Sequence, residues 1–162
     1  MKNSLATIIL MSILFNCPVF TADIGEMEMK EIVEYLQNNN PHYLATIGLD
    51  GKPKIRPFQM MFEEDGKLWF CTSNRKEVYR ELQKQPYIEL CVSGENMSWL
   101  RLGGKAVFTD DLKMKEIVFE VSPLVKGIYK EPDNPSFEVF YLEEVTATIA
   151  DLSGNPPKTY AQ

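Results

Sequence analysis

Residues 43–71 read YLATIGLDGKPKIRPFQMMFEEDGKLWFC and decide the fold. Two Asp-Gly pairs, Asp50-Gly51 and Asp65-Gly66, each separate two strand-like runs. Because Asp-Gly suits the positive φ angles of tight hairpin turns, both pairs predict hairpins. Pro57 lies inside the second run and has no N–H to donate, so it must occupy an edge strand or a bulge. The predicted strands are 43–47, about 54–62 and 68–71.

The rest of the chain alternates helical and strand-like segments. Helices are predicted at 26–38, 75–85 and 111–121, and further strands at 87–92, about 98–108 and 137–152. Gly103-Gly104 predicts a bulge in the fifth strand. We expect an α+β fold, mainly antiparallel β: a six- to seven-stranded split β-barrel with three short helices. Closure into a barrel removes exposed strand edges. Residues 123–135 are predicted as a Pro-rich loop.

Composition narrows the chemistry. The 162 residues carry 17 basic and 23 acidic side chains, a net charge of −6, which disfavours general nucleic-acid binding. His42 is the only histidine, and its place after Pro41 predicts a surface or capping residue rather than a catalytic base. The cysteines, at 17, 71 and 91, form no CxxC motif, which disfavours zinc clips and disulfide frameworks. Any chemistry is therefore expected to come from a bound cofactor.

Residues 1–22 differ from the remainder. Their apolar run, Leu5–Phe15, is too short to span a bilayer and has the size of a secretory signal core. The alternative is an over-long start, with translation beginning at Met27 or Met29. The protein is expected in the cytoplasm under the second interpretation and exported under the first. We assign 23–152 to one domain and 153–162 to a turn-like tail.

Residues 72–77, TSNRKE, predict an anion site. Asn74 is expected to cap the second helix, with Glu77 three residues later as in a capping box. Arg75 and Lys76 would then lie in the first helical turn, where the helix dipole disfavours cations unless an anion is bound. With the hydroxyls of Thr72 and Ser73, these groups suit a phosphate. The alternative is a solvated surface turn.

Arg56 lies in an otherwise apolar strand. A charge among apolar neighbours is costly unless it is paired. Arg56 either faces solvent, pairs with an acid on a neighbouring strand, or clamps the same anion as residues 72–76. The tight hairpin between the second and third strands places Arg56 and residues 72–76 at adjacent strand ends, which allows the third arrangement.

The ordered set of motifs resembles a known family. It comprises a helix, YLATIGLDGKP, Arg56-Pro57-Phe58, LWFCTS, an Arg-Lys pair opening a helix, and Gly104-Lys105-Ala106 in a later strand. This order over residues 27–150 resembles the pyridoxamine 5′-phosphate oxidase-like family of FMN-binding split barrels. Within it, the short single-domain members grouped with general stress proteins and nitroimidazole reductases are the most similar. The resemblance implies a homodimer with FMN at the interface.

The resemblance also implies site residues. Arg56, Arg75 and Lys76 correspond to phosphate-binding positions, with Ser73 and Thr72 beside them. Phe58, Gln59 and Met60 correspond to the backbone stretch that meets the flavin ring. Cys71 belongs with Thr72 at the strand end. Trp99 falls where relatives place a glutamine or tryptophan that reaches the flavin ring from the partner subunit.

Three functions follow from these expectations. The first is an FMN-dependent oxidoreductase that passes electrons from a donor such as NAD(P)H to a small-molecule substrate. The second is a non-catalytic binder or sensor of FMN or another phosphorylated molecule, with the deazaflavin F420 among the ligands left open. The third is an exported β-barrel for apolar molecules. The C-terminus lacks the Arg-x-His motif of pyridoxamine oxidases, so vitamin B6 oxidation is not expected, and one histidine disfavours histidine-ligated haem.

Overall fold

The computed structural model describes residues 28–162, so the signal-like segment 1–22 lies outside the described residues. The described chain forms four α-helices, eight strands and one 3-10 turn. The helices are α1 Met29–Asn38, α2 Glu77–Lys84, α3 Leu112–Val121 and α4 Pro123–Tyr129. The strands are β1 His42–Ile47, β2 Pro53–Phe58, β3 Phe62–Glu64, β4 Lys67–Ser73, β5 Tyr87–Ser93, β6 Trp99–Thr109, β7 Phe137–Ala150 and β8 Lys158–Ala161.

All eight strands form one antiparallel sheet, which confirms the predicted fold class. The order is β2-β1-β5-β6-β7-β4-β3, and β8 pairs with β7. The sheet curls on itself, because Phe58 on edge strand β2 lies 6.2 Å from the Phe70 ring of β4 and 6.1 Å from the Phe140 ring of β7. The interior of this curled sheet holds the main core, and α1 contributes Ile32 and Leu36 to it.

A second apolar cluster covers the other face of β4. Phe70 belongs to the main core, whereas its neighbour Trp69 belongs to this second cluster, together with Phe137 and with Val118 and Phe119 of α3. Successive strand residues point to opposite faces, so β4 is buried on both sides. This explains why its sequence, KLWFCTS, is almost continuously apolar in the middle rather than alternating.

The hairpin predictions are confirmed. Asp50-Gly51 joins β1 to β2, and Gly51 has a φ of 77°. Asp65-Gly66 joins β3 to β4, with φ of 54° and 72°. Pro57 lies on β2 at the edge of the sheet, where no neighbouring strand needs its missing N–H. The predicted bulge is present as a register shift between Gly103 and Lys105.

Three boundaries differ from the predictions. The second predicted strand, 54–62, is two strands, since β2 ends at Phe58 and β3 begins at Phe62. The predicted loop 123–135 contains α4, which begins with Pro123 after the Ser122 hydroxyl accepts a bond from the Val125 N–H. The tail 153–162 is not only a turn, because β8 pairs there with the end of β7.

Candidate functional site

A groove of about 560 Å³ opens where β2 ends and β4 runs past it. It adjoins a smaller cavity of about 320 Å³ at the start of α2, since Pro57, Phe58 and Lys76 line both. Volumes of this order suit small molecules and cofactors. The groove is lined by Asn40, Pro41, Pro57, Phe58, Gln59, Met61, Cys71, Lys76 and Leu124. The smaller cavity is lined by Arg56, Pro57, Phe58, Lys76, Glu77 and Val78.

The structure brings half of the predicted site residues to these two cavities: Arg56, Phe58, Gln59, Cys71 and Lys76. It does not bring the Met60 side chain there, because that side chain is buried in the main core. Trp99 lies at the start of β6, paired with Ser93 and Ala150, and lines neither cavity. That Trp99 reaches the flavin ring bound by a partner subunit stays a prediction.

Arg56 is held by a network that the sequence analysis did not identify. Its guanidinium donates to the Glu81 carboxylate on α2, with Nη2 and Oε2 2.8 Å apart, and to the Thr46 hydroxyl on β1. Thr46 in turn donates to the same Oε2 at 2.6 Å. Glu81 is only 2% exposed, whereas the Arg56 side chain is 23% exposed. Arg56 therefore pairs with an acid, as one of its three alternatives predicted, but this acid lies on helix α2 and not on a neighbouring strand.

One sequence signal pointed to Glu81. It falls between Val78 and Leu82 on the apolar side of α2, and these two side chains are buried in the main core. A carboxylate in such a stripe requires a partner. Arg56 is a basic side chain in a strand with apolar neighbours, so the sequence offers it as one such partner.

The start of α2 differs from the prediction. The helix begins at Glu77, and Lys76 rather than Asn74 is the N-cap residue. Asn74 does not cap it because its amide donates to the Pro135 carbonyl and to the Glu138 carboxylate. The predicted capping box is therefore wrong, and Arg75 and Lys76 precede the helix instead of lying in its first turn.

The corrected helix start still favours an anion. No side chain of residues 28–162 caps α2, so its first N–H groups have no side-chain acceptor there. Lys76, which lines both cavities, is exposed and forms no ion pair with the described residues. Uncapped N–H groups beside an unpaired cation fit a phosphate group. Thr72, Ser73 and Arg75 line neither cavity, so their place in such a site stays a prediction.

The Cys71 thiol lies in the groove wall and is not a thiolate. Burial raises its pKa from 9.0 to about 12, and the positive charge of Lys76 opposes only part of that rise. A neutral thiol is a poor nucleophile, so Cys71 contributes shape rather than covalent chemistry.

His42 is also unsuited to catalysis. It is 1% exposed, so it is not the surface residue that was one expectation, and its Nε2 donates to the Leu36 carbonyl at the end of α1 at 2.8 Å. It therefore caps the last turn of α1. Within residues 28–162 no three His, Cys, Asp or Glu side chains gather in a metal-binding group.

Comparison with known proteins places these features in a family. The sequence model described as pyridoxamine 5′-phosphate oxidase matches residues 29–148, which is most of the chain. The chain belongs to the pyridoxamine 5′-phosphate oxidase family. None of the curated proteins compared with it matches. Among the helices of residues 28–162, none is long and apolar enough to cross a membrane.

Solved structures of similar proteins agree with this family and with the split-barrel fold. A NimC/NimA family protein from Clostridium acetobutylicum is 30% identical, with a TM-score of 0.76 over 83% of this chain and 92% of that one. A protein related to general stress protein 26, from the same organism, is 20% identical, with a TM-score of 0.64 over 83% and 96%. An FMN-binding protein from Nostoc punctiforme is 19% identical, with a TM-score of 0.56 over 80% and 86%.

Proposed function

We propose that the protein binds FMN in this groove and acts as an oxidoreductase. The observation that carries the proposal is the meeting of Arg56 and Lys76, from different elements, in one cavity at the uncapped start of α2. That cavity continues into the wider groove beside Phe58, Gln59 and Cys71. We assign the phosphate to the cationic end and the flavin ring to the wider end. The FMN-binding protein from Nostoc punctiforme, which shares the fold, supports this choice of ligand.

The residues of the chain serve to bind and orient the cofactor. Bound FMN would supply the redox chemistry, by accepting electrons from a donor such as NAD(P)H and passing them to a small molecule. Among the described residues, the neutral Cys71 thiol and the buried His42 ring, which is bonded to Leu36, do not form an acid–base pair in the groove. The chain's contribution is therefore to bind and orient the cofactor rather than to transfer protons.

We propose further that two copies of the chain associate through the outer face of β1 and β2. Alternate residues of β1 are buried, which leaves Tyr43 and Ile47 on the outer face, each 44% exposed. Ile55 of β2 pairs with Ala45 and is 69% exposed. Contiguous apolar side chains of this kind mark association surfaces. The groove begins at the end of the same strand, at Pro57 and Phe58, so a second copy there could complete the FMN site.

Cofactor binding is tested by titrating apoprotein with FMN and with riboflavin, which lacks the phosphate. We expect Lys76→Ala to raise the Kd for FMN by about tenfold to a hundredfold, the scale of a charge-assisted hydrogen bond, and to leave riboflavin unchanged. Lys84→Ala at the other end of α2 is the matched control, because it removes the same charge away from the cavity. Equal FMN affinity in Lys76→Ala and the control would contradict the phosphate assignment.

Turnover is tested separately on the holoprotein. Consumption of NAD(P)H with quinone, nitroaromatic or flavin acceptors is expected, and its absence with every acceptor would favour the non-catalytic binder. Dimerisation is tested by sedimentation of Ile55→Lys, with Leu152→Lys as a control that is also exposed, at 70%, outside the β1–β2 face. A monomer is expected only for Ile55→Lys, and an intact dimer would exclude this face.

A further inference from the structure

A buried carboxylate stands directly behind the cationic cavity. Glu81 is 2% exposed, and its Oε2 accepts bonds from both Arg56 and Thr46. Arg56 also lines the cavity that contains Lys76. One guanidinium therefore faces a fixed internal anion on one side and the proposed phosphate position on the other.

The hydrogen-bonding capacity of Arg56 allows it to serve both. A guanidinium has five N–H donors, and two are used here, one to Thr46 and one to Glu81. The remaining three donate to none of the described residues, and the side chain lines the cavity. Lys76, in contrast, forms no ion pair with the described residues. The two cations that line the cavity are therefore not equivalent, because only Arg56 already has a counter-ion.

We propose that Glu81 is the internal counter-ion of the phosphate site: it holds Arg56 when no ligand is bound, and it weakens phosphate binding because the phosphate must share that guanidinium. The inference rests on the proposed phosphate site at Arg56 and Lys76. Two effects of Glu81 follow from its charge. It stabilises the ligand-free fold by pairing a largely buried cation, and it repels a second anion brought to the same cation. Glu81 thus sets how strongly the site distinguishes FMN from riboflavin.

The test compares Glu81→Gln with Glu120→Gln in full-length protein, by titration with FMN and riboflavin. Glu120 is exposed on α3 and lines neither cavity, so its variant controls for the loss of one negative charge. We expect Glu81→Gln to have a lower Tm without ligand and to bind FMN about tenfold more tightly than the wild type. Riboflavin affinity is expected to stay unchanged, and Glu120→Gln is expected to have a much smaller effect.

Each other outcome is informative. If FMN and riboflavin affinities change together, Glu81 acts on the fold alone and the inference is overturned. It is overturned equally if FMN binds more weakly, or if Glu120→Gln has the same effect as Glu81→Gln. If Glu81→Gln is unfolded without ligand, FMN but not riboflavin should restore folding, and failure of FMN to do so overturns it. If the wild type itself does not bind FMN, the proposed function fails instead.

Discussion

The pairing of Arg56 with Glu81 predicts a specific loss of stability when one partner is removed. Arg56→Met keeps much of the apolar stem but removes the charge, which leaves the Glu81 carboxylate buried with only the Thr46 hydroxyl as a donor. Breaking a buried ion pair in this way costs about 3–5 kcal/mol. Because the Arg56 side chain is 23% exposed and water therefore reaches the pair, we expect the lower end, about 3 kcal/mol.

The reverse substitution should cost less. In Glu81→Gln the unpaired group is Arg56, which can turn toward water, and we expect about 1 kcal/mol. The double variant Arg56→Met with Glu81→Gln removes both charges and should lie within about 1–2 kcal/mol of the wild type, since buried pairs are often replaced without large loss. The resulting coupling energy is about 2–3 kcal/mol.

Urea unfolding followed by tryptophan fluorescence measures these differences, at one protein concentration and with equal m-values. Trp69 is 6% exposed and reports on the core. Lys54→Met is the matched control: it lies on the same strand and breaks the exposed pair with Asp50, so its midpoint should barely move. An Arg56→Met midpoint equal to that of the control, or a double variant no more stable than Arg56→Met, would refute the reasoning.

Three further predictions concern other parts of the molecule. With a pKa of about 12, the Cys71 thiol should react with iodoacetamide at pH 8 about 10³-fold more slowly in the folded protein than in urea, as followed by mass spectrometry; equal rates would contradict its burial. Phe140→Ala, at a ring with no exposed surface, should lower the free energy of unfolding by about 3–5 kcal/mol; a loss below 1 kcal/mol would exclude a close-packed interior there. Lys158 lowers the pKa of Glu31 through a side-chain hydrogen bond. The Glu31–Lys158 pair therefore stabilises the fold above the pKa that Glu31 has in the unfolded chain, and this stabilisation is lost as the pH falls through the lower pKa of Glu31 in the folded protein. Lys158→Ala should therefore differ from the wild type in Tm at neutral pH but not in strong acid, and a difference that persists in acid would assign the effect to packing.

Local chemistry was enough to predict the hairpins but not every element. Asp50-Gly51 and Asp65-Gly66 specify their turns because the residues themselves adopt the required φ angles. Strand β8 has no such signal, since residues 158–161 are exposed or half-buried and are ordered by pairing with β7. Helix α4 differs from the predicted loop because proline, which favours loops, is also favoured at the first helical position, where Pro123 lies.

The start of α2 differs from the prediction because Asn74 contacts residues that are distant in the sequence. Asn74 has the side chain of a good N-cap, but Pro135 and Glu138, about sixty residues later, supply acceptors for its amide. No pattern within residues 72–77 reveals those acceptors. The contacts that Asn74, at the end of β4, makes with β7 and with the loop before β7 therefore outweigh its local preference for the N-cap position.

In the candidate site, too, contacts between residues far apart in the sequence change what the local pattern predicts. The expectation that a hairpin brings Arg56 beside residues 72–76 is wrong, because Arg56 lies on β2, which pairs with β1 and not with β4. Arg56 and Lys76 nevertheless line one cavity, because the sheet curls and brings β2 against β4. An uncapped helix start and the unpaired Lys76, rather than cations within the first helical turn, favour an anion there. Glu81 adds to this: Arg56 already has a counter-ion, whereas Lys76 on the same cavity has none among the described residues. Removal of Arg56 leaves the Glu81 carboxylate unpaired beside the phosphate, so Arg56→Ala should weaken FMN binding at least as much as Lys76→Ala in the same titration.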